Sequence, residues 1–116
     1  MSAHISKALK AATAITSNTT TTGSAFLLHP HAQELTAVSQ VSARTDGTYT
    51  TTIQHSPDGT NWFTLAAGSA QSANGLVEIT VAGTVSHFQY VRASILSSSV
   101  TSGATVTVTL WHGVQR

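Results

Sequence analysis

The strongest constraint on the fold is the alternation of apolar and hydroxyl-bearing residues at successive positions. Residues 104–113, ATVTVTLWHG, place every second residue from Val106 to His112 on one face and every second residue from Thr105 to Trp111 on the other. Successive side chains of a β-strand point to opposite faces, so this alternation predicts a strand with one buried face.

Five further strand-like runs precede this one, and turn signals separate most of them. They are residues 24–30, 34–44, 48–56, 75–81 and 87–96. With the run that follows the turn at residues 56–59, the chain has about seven or eight short strands, and their spacing is typical of sandwiches. The sequence therefore predicts an all-β fold, a single antiparallel β-sandwich of jelly-roll-like type.

A hairpin turn is predicted where the run SPDGTNW follows residues 48–55. Pro57 presets the backbone φ of a turn, Asp58 hydrogen-bonds readily to its own turn backbone, and Gly59 adopts positive φ without strain. Trp62 follows closely, and we expect its ring to fold back and close the core at this end. Ser56, Pro57, Asp58, Gly59 and Trp62 are therefore interpreted as structural residues.

The first 22 residues differ in composition from the rest of the chain. They begin with a weak helical spacing, and six of the seven residues 16–22 are Ser or Thr. This composition predicts an extended or mobile arm, residues 1–22, in front of a sandwich domain, residues 23–116. Because Thr is β-branched, the arm is also expected to form a strand if a sheet edge is available to it.

Charged residues are scarce, at 8% of the chain against roughly 25% in an average soluble domain. The chain contains 15 Ser and 20 Thr, and its formal net charge is +1. A net charge this close to zero provides no basic surface for nucleic acid, so we expect no nucleic-acid partner. A low charge also removes a repulsion that keeps domains monomeric. The scarcity of charge therefore indicates either a protein that functions within an assembly or simply a β-rich protein with a Thr-rich surface.

The sequence contains no cysteine, which excludes disulfides and thiolate metal sites and fits assembly in a reducing compartment such as the bacterial cytoplasm. No apolar run approaches the about 20 residues of a membrane span, so we expect no membrane partner. The N-terminal residues lack a continuous apolar segment, so we expect no secretory signal.

Residues able to perform chemistry give no convincing catalytic pattern, so we expect neither an enzyme nor a cofactor. His29 and His31 have a spacing that some metal sites use, but Pro30 interrupts the strand between them. Asp46 and Asp58 each precede a glycine, where a turn role explains them.

Two questions about binding stay open at this point. Arg92 lies in an otherwise apolar strand, and we expect it to pair with Glu78 across the sheet, with a neighbouring subunit as the alternative. Four aromatic residues are available for stacking on a sugar ring, although the core is expected to need most of them: Trp62, Trp111, Tyr49 and Tyr90.

A family resemblance rests on three motifs, IQHSPDGTNWFTL, FQYVRASI and TVTVTLWHG, within residues 33–113. Together they resemble small β-sandwich structural proteins encoded among the virion genes of tailed bacteriophages. Carbohydrate-binding sandwiches use a similar turn and tryptophan, so a carbohydrate-binding module is the competing interpretation. The matched residues are interpreted as architectural, and they are Ser56, Pro57, Asp58, Gly59, Trp62, Tyr90, Val91 and Arg92.

The resemblance implies a non-enzymatic virion protein, foremost a capsid decoration protein, or else a tail or head–tail component. Its partners would be the major capsid protein or other virion proteins, further copies of itself (a trimer is favoured) and a surface glycan. The arm would add a strand to a neighbour's sheet and be the main assembly contact. The candidate contact residues are Ile5, Leu9, Ile15, Thr19, Thr20, Thr21 and Thr22.

Overall fold

The computed structural model describes residues 2–28, 32–81 and 88–115, and for residues 2–7, 32–34 and 112–115 it describes the backbone alone. These residues form nine strands and no helix. The strands are β1 (Ser2–Ile15), β2 (Thr20–Thr22), β3 (Phe26–Leu27), β4 (Ala32–Ser42), β5 (Thr48–Ser56), β6 (Phe63–Ala67), β7 (Gly75–Thr80), β8 (Tyr90–Ser98) and β9 (Ala104–Gln115).

The strands form two antiparallel sheets. The first sheet has the order β1-β9-β4-β7 and the second has the order β2-β8-β5-β6, with β3 also pairing with β8. Because β2 and β3 follow one another along the same edge of β8, the nine strands occupy eight positions. Two four-stranded layers in this order make a jelly-roll sandwich. The predicted fold class is confirmed.

The core lies between the two sheets, and the alternation of the sequence determines which residues enter it. Along β4, every second residue from Leu35 to Val41 is buried, and along β9 the same holds from Val106 to Leu110. The intervening residues, mostly Thr, Ser and Gln, lie on the outer faces of the sheets. Tyr49 is the one aromatic residue among the fully buried side chains of the described part.

The N-terminal segment differs from its prediction. Instead of a separate arm, residues 2–15 form β1, which pairs with β9 from Ser2 opposite Gln115 to Ile15 opposite Ala104. The Leu9 and Ile15 side chains are only 1% and 3% exposed. The boundary predicted between residues 22 and 23 and the weak helical spacing are therefore wrong. The edge of β9 offers backbone partners, and burial of two large apolar side chains holds the strand there.

The predicted contact residues of the arm are distributed over both sheets. Thr20, Thr21 and Thr22 form β2 and pair with β8, while the Thr19 carbonyl accepts a hydrogen bond of 2.9 Å from the Ser97 N–H. On β1, the Ile5 backbone pairs with His112 of β9, and the Ile5 side chain lies outside the described residues. The segment is therefore part of the sandwich.

β1 also closes one side of the sandwich. Its pairing with β9 shifts register between Ala8 and Lys10 and again between Lys10 and Thr13. Bulges of this kind bend a strand. The Leu9 carbonyl thereby lies against Gly23, whose N–H donates to the Ala93 carbonyl of the second sheet at 2.9 Å. A side chain at position 23 would collide with that carbonyl, so only glycine permits the approach.

A buried polar pair joins the two sheets through the core. The Ser39 hydroxyl of β4 and the Thr51 hydroxyl of β5 lie 2.8 Å apart, and both residues are almost fully buried. The Gln71 side-chain amide also donates to the Ser39 carbonyl, at 3.4 Å. Each hydroxyl satisfies the other, so losing one leaves a buried group without its partner.

Ser39→Ala is expected to destabilise the fold by about 1–3 kcal/mol, because the Thr51 hydroxyl loses its partner. Adding Thr51→Val should recover most of that loss, since neither polar group then remains. Urea unfolding of the two single variants and the double variant measures the coupling. Strictly additive losses would contradict a direct bond between the two side chains.

Candidate functional site

The turn between β5 and β6 is held by its own side chains. The Ser56 hydroxyl accepts hydrogen bonds from the Asp58 and Gly59 backbone N–H groups at 3.2 and 2.8 Å. The Asp58 carboxylate accepts from the backbone N–H groups of Thr60 and Asn61, each at 2.8 Å. Gly59 has φ of +78°. The turn residues are thus positioned by local hydrogen bonds, which is a structural role.

Trp62 does not close the core as predicted. Its ring lies half-buried on the outer side of the second sheet, where the Arg92 guanidinium carbon is 4.3 Å from the ring centroid. The Arg92 Nε donates to the Gln54 side-chain oxygen at 2.7 Å. Gln54 and Arg92 are opposite one another on β5 and β8, so both side chains project from the same outer face.

The predicted pairing of Arg92 with Glu78 within one chain is wrong. Glu78 lies on β7 of the first sheet, opposite Val38, whereas Arg92 lies on β8 of the second sheet. The two residues are on the outer faces of different layers, so the core separates them. The position of the Trp62 ring could not be predicted from the sequence, because its contact with Arg92 depends on the register of β5 with β8.

An aromatic cluster lies at the same end of the sandwich, on the inner side of the second sheet. The rings of His55 and Phe88 have centroids 4.9 Å apart, and those of Phe63 and Phe88 are 6.3 Å apart. The Phe88 backbone N–H donates to His55 Nδ1 at 3.1 Å. Phe63 and Phe88 remain 54% and 43% exposed. This end therefore combines partly exposed aromatic rings with the Trp62–Arg92 stack.

The opposite end is polar and tightly bonded around Asp46. Its carboxylate accepts hydrogen bonds from the backbone N–H groups of Thr101, Ser102 and Gly103 at distances of 2.8 to 3.1 Å. The Tyr49 hydroxyl donates to the Asp46 carbonyl at 2.9 Å. These bonds tie the loop after β4 to the loop after β8. The sequence showed a turn at Asp46 but gave no signal for this partner loop 55 residues away.

The two turn carboxylates are stabilised in their charged form. The Gly103, Thr101 and Ser102 N–H groups lower the pKa of Asp46 below its ordinary value of 3.8. The backbone N–H groups of Asn61 and Thr60 lower the pKa of Asp58 well below the same ordinary value. A carboxylate held ionised in this way is a poor general acid, and its hydrogen bonds to the turn backbone give both residues a structural role.

The histidines and acids do not assemble into a described metal site. His29, His31 and His87, like the side chains of His4 and His112, lie outside the described residues. Within the described part, no group of three or more His, Cys, Asp or Glu residues is placed to hold a metal ion. That part also contains no helix long and apolar enough to cross a membrane.

The outer faces of the two sheets carry few charged side chains among the described residues. The face formed by β4, β7 and β9 carries mostly Thr side chains with three exposed or half-exposed apolar ones, Trp111, Val38 and Leu76. Trp111 pairs with Thr36, and Gln40 pairs with Leu76, so these three lie along a diagonal across β9, β4 and β7. The other face carries the exposed Leu96 between Thr20 and Thr50. Both faces therefore combine hydroxyl-bearing side chains with a few exposed apolar ones.

Comparison with known proteins finds likeness in structure alone. No protein family and no curated protein matches the chain. The crystal structure of the PBSX exported protein XepA superposes with a TM-score of 0.72 at 14% identity, over 97% of this chain and 38% of that one. The SPBc2 prophage-derived protein YomS superposes with a TM-score of 0.53 at 16% identity, over 97% and 95% of the two chains.

A chain in the structure of the infectious bursal disease virus Gx strain is also similar. It gives a TM-score of 0.61 at 13% identity, over 97% of this chain and 32% of that one. The chain thus spans well under half of the XepA and viral chains but nearly all of YomS. These likenesses show the fold. The predicted resemblance to phage proteins is supported at that level, through two phage-derived neighbours.

The hydrogen bonds of Asp46 and Asp58 predict a loss of stability in acid. Because their folded-state pKa values lie below the ordinary 3.8, the stabilisation is full above about pH 5 and is lost as the pH falls towards the folded-state values. Asp46→Asn and Asp58→Asn should each lower the thermal midpoint at pH 7, and the difference from wild type should narrow below about pH 4. Thermal unfolding followed by circular dichroism at several pH values measures this.

Glu78→Gln is the matched control, since the Glu78 carboxylate accepts a longer bond, 3.4 Å, from the Thr80 hydroxyl. Its thermal midpoint at pH 7 should be close to that of wild type. A difference for the Asp46 and Asp58 variants that stays constant from pH 7 to about pH 2.5 would show that their charges do not stabilise the turns.

Proposed function

We propose that the chain is a non-catalytic structural protein of a phage particle, where it decorates the capsid by binding the major capsid protein or other virion proteins. The observation that carries this proposal is the near absence of charge on two broad sheet faces. The jelly-roll fold, common to two phage-derived proteins and a chain of a virus, supports it. The chain then acts in the virion after assembly in the bacterial cytoplasm.

Neutral faces of this kind are suited to being covered by protein. Desolvating a charged side chain costs far more than desolvating a threonine methyl group or a leucine, and the cores of protein interfaces are depleted of charge. Leu76, Leu96 and Trp111 are 68%, 57% and 40% exposed, which gives each face at least one exposed apolar side chain. The surrounding hydroxyls provide hydrogen-bond donors and acceptors towards a partner.

The proposed contact surface is therefore the sandwich and not a leading arm. Leu9 and Ile15 already fill the core of their own chain, so neither is available to a neighbour. The Thr-rich strands present rigid faces, and many copies on one particle bind with avidity even when each contact is modest. Assembly into a homo-oligomer, with a trimer favoured, and contact with a surface glycan remain predictions.

Particles purified by density gradient from a bacterium that expresses the phage genes with this chain test the proposal. The chain should migrate with the particle band, and Thr107→Lys should lower its amount there by about tenfold or more, because a charge would then be buried in the contact. Thr107 lies in the middle of the outer face of the first sheet. Quantitative mass spectrometry of the band gives the measurement.

Ser72→Lys is the matched control, since it adds the same charge at an exposed position in the turn before β7. That variant should remain with the particles. Recovery of the wild-type chain only among free proteins, or equal retention of both lysine variants, would contradict the proposed role of the outer face.

A further inference from the structure

The second sheet and the face formed by β4, β7 and β9 each carry one described charge, and the two charges have opposite sign. Among the described strands of the second sheet, Arg92 is the only Lys, Arg, Asp or Glu residue. Among the described side chains of β4, β7 and β9 that face outwards, Glu78 is the only one. Each charge is surrounded by Thr, Ser, Gln and apolar side chains, so each dominates the electrostatics of its face.

Arg92 is held in place by contacts that involve only part of its guanidinium group. The ring of Trp62 covers it, and its Nε donates to Gln54, which fixes the plane of the group. A guanidinium carries five N–H donors in a rigid fork that suits a carboxylate. No carboxylate of the described residues lies within ion-pair distance of it, so the two terminal nitrogens are available to a partner.

Glu78 is the described acid left for such a role. The Asp46 and Asp58 carboxylates are each bound by several N–H groups of their own turns. Glu78 is exposed on β7, the edge strand of its face, and its described hydrogen bond, from the Thr80 hydroxyl, is 3.4 Å long. The carboxylate is therefore accessible to a donor from outside the chain.

Glu78 and Arg92 cannot meet within one molecule, because packed sheets lie about 10 Å apart and these side chains point away from one another. We propose that the chain self-associates head to tail. In this contact the outer face of the first sheet of one copy packs on the outer face of the second sheet of the next, with Glu78 opposite Arg92. The contact deepens the proposed structural function, on which it rests, by naming a second copy as partner.

The size and chemistry of the faces fit such a contact. The two longer dimensions of the molecule are 46 and 28 Å, and a face of that extent exceeds the about 800 Å² per partner of a standard interface. Leu76 flanks Glu78 on one face, and Leu96 lies on the other. Because the two faces are different surfaces, the contact is heterologous and builds rings or chains of copies instead of closed pairs.

Sedimentation velocity of the full chain over about a hundredfold range of concentration tests the contact. Wild type should form species larger than a dimer. Glu78→Arg and Arg92→Glu should each weaken association by about tenfold or more, because like charges then face one another. Mixing the two single variants should restore association, since each face then meets the opposite charge, and the double variant should associate alone.

Ser72→Arg serves as the control for added charge and should associate like wild type. Circular dichroism checks that each variant keeps its strands, and rescue in the mixture remains informative even where Arg92→Glu lowers stability. A monomeric wild type at every concentration, or single variants that associate normally, would overturn the contact. A chain that joins particles but stays monomeric alone would reject this contact and leave the proposed function standing; self-association without particle binding would do the reverse.

Discussion

The pairing of β1 with β9 determines which surfaces the molecule has for binding. Fourteen residues of the N-terminal segment become an edge strand of the first sheet, and Leu9 and Ile15 enter the core. The bulges of β1 bring it against Gly23, at the edge of the second sheet, so the strand closes the side between the two layers. With this segment committed to the fold, the proposed assembly contacts rest on the outer faces.

The same alternation that forms the core also forms those faces. A threonine at every second position gives a strand one hydroxyl-bearing side, and apolar residues between them give the other. The result is a body whose interior has few polar groups, such as Ser39 and Thr51. Its second sheet and the face formed by β4, β7 and β9 each carry one described charge. Low charge is thus a property of the two surfaces and not just of the composition, which is why it bears on assembly.

The sequence predicted the parts of this structure that depend on local pattern. The sandwich, the turn at 56–59 and the inward faces of β4, β5, β8 and β9 follow from period-two alternation and turn chemistry. β1 was missed because its two buried residues are six apart and bulges interrupt its period. The stack of Arg92 on Trp62, the separation of Arg92 from Glu78 and the binding of Asp46 to residues 101–103 depend on which strands are neighbours, and no local pattern encodes that.

The arrangement of both outer faces depends on the N-terminal segment being part of the sandwich. Residue-resolved hydrogen exchange of the free chain tests it most directly, because amides bonded within a sheet exchange far more slowly than those of a mobile segment. We expect amides of residues 8–15 that face β9 to be protected about as well as those of residues 106–110, and far better than the exposed turn at 57–61. Fast exchange throughout residues 8–15, with β9 still protected on its β4 side, would contradict the account.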